Sequence, residues 1–138
     1  MNVTKPKLLS LMLIIFLLSL SVNGYPAKLI KVDVLFMNHG PLMGTINKMK
    51  ALFARYDGKI SVSWYDFDTP EGEAFMEKKG IRQHTPLAIW INGNLTVKTG
   101  QKETTFVGFP SGAGPSAFQG KWTLDDLKAA LDQTMAAK

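Results

Sequence analysis

Leu29-Ile30-Lys31-Val32-Asp33-Val34-Leu35-Phe36-Met37-Asn38-His39-Gly40-Pro41-Leu42 is the stretch that decides the fold. Its apolar residues first alternate with Lys31 and Asp33, then run continuously to Met37, the pattern of a strand entering a core. His39-Gly40-Pro41 interrupts the run. Ile46, Met49, Phe53 and Tyr56 then recur at helical spacing, with Lys48, Lys50 and Arg55 on other faces. The spacing predicts an amphipathic helix over about residues 43–56, ended by Asp57-Gly58.

Downstream the alternation of elements continues. Ile60, Val62, Trp64 and Tyr65 form a second expected strand, ending at Asp66-Phe67-Asp68. Thr69-Pro70-Glu71 has the chemistry of a helix start: a capping hydroxyl, a proline at the first helical position and an acid in the first turn. Lys78-Lys79-Gly80 has that of a helix end. Leu87-Ala88-Ile89-Trp90-Ile91 is a third strand, and Asn92-Gly93 a tight hairpin turn. Residues 95–98 and 103–109 continue as β structure around Thr99-Gly100. A glycine- and proline-rich loop, Pro110-Ser111-Gly112-Ala113-Gly114-Pro115-Ser116, leads to Thr123, which caps a last helix bearing Leu124, Leu127, Leu131 and Met135. The order β-α-β-α-β-β-α describes an α/β domain with a mixed sheet. Its first three strands are expected to be parallel, joined by right-handed crossovers, with a hairpin supplying an antiparallel edge.

That order, read with two short motifs, resembles the thioredoxin family. Phe36-Met37-Asn38-His39-Gly40-Pro41-Leu42 is similar to the family's strand end and Cys-Gly-Pro-Cys turn, with His39 and Leu42 at the cysteine positions. Gly80-Ile81-Arg82-Gln83-His84-Thr85-Pro86-Leu87, followed by Asn92-Gly93, is similar to the segment carrying the family's cis proline. The resemblance spans nearly all of residues 29–136 and implies a three-layer sandwich with cis-Pro86. It also implies a groove between the turn, Pro86 and the loop of residues 109–122, which is longer than the family's usual link.

The chain has 138 residues, a net charge of +5 and no cysteine. Without a thiolate there is no dithiol exchange, no disulfide and no cysteine-held zinc or iron–sulfur cluster. Lys5 and Lys7 precede a mainly apolar run from Leu8 to Val22, and Val22-Asn23-Gly24 offers a cleavage site. Residues 1–24 therefore have the layout of a secretory signal, shorter than the roughly 20 apolar residues of a spanning helix. An uncleaved anchor is the alternative and the one expected route to membrane contact. Residues 25–138 form the expected domain, periplasmic or secreted. The scattered positive charge carries no run or motif for nucleic acid.

Two histidines are the principal chemical suspects. His39 stands on a strand-to-helix turn, where an imidazole can act as a base, a ligand or a hydrogen-bond donor; as a plain reading it braces the turn. His84 lies two residues before Pro86. With Met37 and Met43 the pair would make a thioether–imidazole set suited to copper, although both methionines fit core positions. No nucleophile elbow or dinucleotide loop is present, so no enzyme activity and no cofactor is expected. The expected role is a binding or accessory protein, with an extended protein or peptide partner lying in a groove formed by His39, Gly40, Pro41, His84, Thr85, Pro86, Phe118 and Trp122. The alternative is a metal-binding protein using His39 and His84.

Overall fold

The computed structural model describes residues 28–137, so the expected signal segment of residues 1–24 lies outside the described residues. Strand β1 (Ile30–Phe36) leads into helix α1 (Gly40–Ala54), strand β2 (Ile60–Asp66), helix α2 (Pro70–Lys79) and strand β3 (Leu87–Ile91). Two short strands, β4 (Thr96–Thr99) and β5 (Lys102–Thr105), a single 3-10 turn at Ser116–Phe118 and helix α3 (Leu124–Ala136) complete the order. The protein is thus a mixed α/β domain.

The main sheet has the order β2-β1-β3. β1 and β2 are parallel, joined through α1. β3 is antiparallel to β1, with Val34 opposite Ile89, which corrects the expectation of three parallel strands. The reason lies in residues 81–86. A parallel crossover must return the chain to the starting end of the sheet, but the carbonyl of Pro86 accepts from the N–H of Met37 (3.1 Å), just past the finishing end of β1. β3 therefore starts where β1 stops and runs back.

Asn92 and Gly93 both take positive φ (49° and 85°), and Ile91 and Asn94 exchange two hydrogen bonds, so the tight turn is present. Asn-Gly suits that turn because both central residues must be left-handed. The strand after it nevertheless leaves β3 and pairs with β5, as Thr96 with Thr105. The free side of β3 is covered instead by residues 106–108: Ile89 donates to Phe106, Gly108 donates to Leu87, and Val107 bridges Ala88.

The two faces of the sheet bury different amounts. Val32 and Val34 from β1 and Leu87, Ile89 and Ile91 from β3 pack with Leu42, Ile46, Met49 and Phe53 of α1 and Leu127 and Leu131 of α3. On the opposite face Leu35, Ala88 and Trp90 meet Phe75 of α2 in a smaller cluster. Tyr65 stacks on Phe75 there, while Phe75 meets Trp90 edge-on.

The helix ends follow local chemistry. Thr69 accepts from the N–H of Gly72, and Gly80 closes α2 in the left-handed region. Gly72 has a further reason to be glycine: a Cβ there would collide with the carbonyl of Asp66. At α3, Thr123 and Asp126 form a reciprocal capping box, and Lys102 holds the same carboxylate from β5. His39 stands before α1 without a side-chain cap bond.

Candidate functional site

The finishing ends of β1 and β2 and the entry to β3 bring three segments together. Phe67 donates its N–H to the carbonyl of Phe36 (2.8 Å), and Met37 is tied to Pro86. The turn His39-Gly40-Pro41, the loop Phe67-Asp68 and the strip of residues 81–86 therefore share one end of the sheet. His39, Gly40, Pro41 and His84 are exposed, and Thr85 and Pro86 are half-buried.

Two side-chain contacts organise this surface. Nε2 of His39 lies 3.1 Å from Oδ2 of Asp68. The ring of His84 meets Phe67 edge-on, at 5.0 Å between centroids and 71° between planes. Each histidine is thus held by one of two consecutive residues. A cleft of about 600 Å³ opens beside them, lined by Phe67 and Asp68 with Glu73, Glu77, Ile81 and Arg82. Its polar walls carry both signs of charge. Among the described residues no three His, Asp or Glu side chains come together as a metal cage.

The strip itself has an unusual main chain. In the segment Arg82-Gln83-His84-Thr85, the N–H groups make no hydrogen bond among the described residues. The one bond recorded within the segment runs from the Thr85 hydroxyl to the Gln83 carbonyl (3.3 Å). Buried backbone amides are nearly always paired; Arg82, Gln83 and His84 are exposed and Thr85 is half-buried, so these donors are left to solvent.

The structure divides the groove expected from sequence. Thr85–Pro86 is trans, as are all peptide bonds described, which corrects the expectation of cis-Pro86; trans is the lower-energy isomer of an X–Pro bond. Trp122 is wholly buried, T-shaped against Phe106 at 5.4 Å, with its indole N–H donated to the carbonyls of Gly108 and Val107. It pins the loop to the core and presents no surface to a partner. Phe118 is 46% exposed but makes no ring contact or side-chain hydrogen bond with the histidine cluster.

The loop between Phe109 and Trp122 is laced from within. Ser111 bonds to Trp122 and Gly120 through its N–H and hydroxyl. The Gln119 amide accepts from Gly112 and donates to Gly114. Pro110 and Ser111 face Thr45 and Lys48 of α1 across a separate small crevice.

Sequence reading missed Asp68 as the partner of His39 and Phe67 as that of His84, since both stand where acids and turn residues precede a helix cap. It also passed over Asp33. That carboxylate is 2% exposed in the central strand, its Oδ1 has no hydrogen-bond partner, and its Oδ2 lies 3.5 Å from Lys31. The available signal was an acid inside an otherwise apolar run. No protein family, curated protein or solved structure matches the chain.

Proposed function

We propose that this chain is an exported, thioredoxin-like binding or accessory protein that holds an extended segment of another protein along residues 82–85. The observation that carries the reading is the row of unbonded main-chain donors in that strip, on exposed and half-buried residues beside the His39–Asp68 pair and a cleft of mixed charge. Strand addition uses such groups: main-chain bonds give affinity, and adjacent pockets select side chains. Arg82 would attract an acidic side chain of the guest, and Glu73 and Glu77 a basic one. The mixed sheet and the β-α-β-α-β order support a thioredoxin-like arrangement; the trans bond at Pro86 removes the part of the resemblance that rested on the isomer. Thiol–disulfide exchange has no place in the mechanism because the chain has no cysteine.

The test is selection from a displayed random-peptide library, followed by amide chemical-shift mapping with the best peptide. The amides of Gln83, His84 and Thr85 are expected to move most. Thr85→Pro, which deletes one donor, and Arg82→Glu should each weaken binding by about tenfold or more. Peptides that map elsewhere overturn the proposal. So does tight copper(I) binding that is lost in both His39→Ala and His84→Ala, which establishes the metal reading instead.

A further inference from the structure

β2 is the open edge of the main sheet. Among the described residues no strand lies on its outer side, whereas the far side of β3 is covered by residues 106–108. Natural edges are usually blunted by lysine, proline, a bulge or a covering loop. Ile60-Ser61-Val62-Ser63-Trp64-Tyr65 carries neither charge nor proline. Val62 and Trp64 are half-buried beside a groove of about 400 Å³ that also takes in Phe53 and Lys50, the ammonium of Lys50 standing 5.4 Å from the Trp64 ring.

The hydrogen bonds define which groups point outward. Phe67 donates to Phe36, and Lys59 accepts from Ile30, so odd-numbered residues of this segment face β1 and even-numbered ones face out. Two of the four outward residues are already engaged. The N–H of Ile60 is held by the Tyr56 carbonyl (3.3 Å), and the carbonyl of Asp66 accepts from Thr69 through its N–H (3.1 Å) and hydroxyl (2.8 Å). Among the described residues, Val62 and Trp64 keep both main-chain groups free.

We infer that this edge pairs with the same edge of a second copy, antiparallel about a two-fold axis at Ser63. In that register Val62 of each copy faces the partner's Trp64, so every free N–H and C=O of Val62 and Trp64 enters a bond. A register centred on Val62 would require the engaged N–H of Ile60, and one centred on Trp64 the engaged carbonyl of Asp66. The side chains agree with the backbone: each half-buried Trp64 lies across from a half-buried Val62. Charge agrees as well. Lys59 of one copy arrives at the partner's stretch Asp66-Phe67-Asp68 at both ends of the ribbon, opposite charges meeting twice. Isologous contacts of this kind are the commonest oligomer geometry. The pairing makes one continuous six-stranded main sheet and brings Lys59 of one copy to the rim of the other copy's Asp68 cleft.

The absence of cysteine makes the test clean. Ser63 opposite its own copy is a non-hydrogen-bonded pair, with Cα atoms about 4.5 Å apart, within disulfide reach. Full-length Ser63→Cys treated with diamide is expected to become a covalent dimer almost completely. Ser61→Cys, whose register partner is Tyr65, should cross-link little. Sedimentation of the unmodified protein should give twice the chain mass, and Val62→Lys should weaken the dimer by about tenfold or more. Circular dichroism of the reduced variants checks that they fold. A monomer at all concentrations overturns the inference, as does a dimer in which Ser63→Cys cross-links no better than Ser61→Cys.

Discussion

Asp68 holds His39 by a contact of 3.1 Å, and it does so from the loop residue immediately after the one that His84 packs against. Both members of the His39–Asp68 pair are more than half exposed, and exposed pairs contribute little to stability, with a median of about 0–1 kcal/mol. His39→Ala and Asp68→Asn are therefore expected to shift the unfolding free energy by less than about 1 kcal/mol, measured by urea titration. Peptide binding at residues 82–85 should fall in both. A loss of several kcal/mol in either variant would assign the pair to bracing the turn.

Asp33 should behave in the opposite way. A buried polar atom without a partner costs about 1–3 kcal/mol, and Oδ1 of Asp33 is such an atom. Its ion-pair partner Lys31 is 59% exposed and can return to water when the carboxylate is removed. Asp33→Val, apolar and suited to a strand, is expected to raise the urea midpoint. A lowered midpoint would mean that the Lys31–Asp33 pair outweighs the orphaned oxygen.

The stability profile with pH should narrow from both sides. Burial pushes Asp126 up, but hydrogen bonds from Lys102 and Thr123 outweigh it and leave its pKa below the usual carboxylate value. Asp132 is also lowered, first by its bond from Lys128 and then by that from Tyr56. Lowered folded values mean that these contributions are whole above the ordinary carboxylate pKa and disappear as pH falls through the folded ones. Tyr56 runs the other way: burial, then its bond to Asp132, pushes its pKa up to about 12. Its contribution is whole below the ordinary tyrosine value of about 10 and disappears as pH rises through the raised one. Thermal melts should show Asp132→Asn flattening the acid limb and Tyr56→Phe the alkaline limb.

Trp122 and Gly108 form one structural unit. Trp122→Phe keeps an aromatic in the core but leaves the Gly108 carbonyl without its indole donor (3.1 Å), for a cost of about 1–3 kcal/mol. Gly108 has φ of 77° and a carbonyl of Phe118 where a Cβ would stand. Gly108→Ala should therefore cost more than the roughly 1 kcal/mol of a strained backbone alone. Guanidinium unfolding of both variants checks the order.

Local chemistry made much of this fold legible. The caps Thr69, Gly80 and Thr123 and the Asn92-Gly93 turn are where the residues indicate, because each is decided within four or five residues of chain. The direction of β3 was not, since it depends on how far residues 81–86 carry the chain before Pro86 meets Met37. The trans state of Pro86 was hidden for a related reason: a motif match does not contain the tertiary contacts that select an isomer. Trp122 and Phe118 looked alike as loop aromatics, and what separates them is the pair of carbonyls at Val107 and Gly108, distant in sequence. The histidines were visible as candidates, whereas their partners Phe67 and Asp68 became identifiable only when β2 ended beside β1.

The lacing of the loop by Gln119 has a consequence for how this surface can change over evolutionary time. Its anchors, Ser111, Gly112 and Gly114 on one side and Gln119 and Gly120 on the other, make a frame that closes on itself. Pro115, Ser116 and Ala117 project from that frame as an exposed crown. New residues inserted at the crown leave the side-chain bonds of Ser111 and Gln119 in place, so the loop can vary at its tip while Trp122 keeps its base pinned to the core.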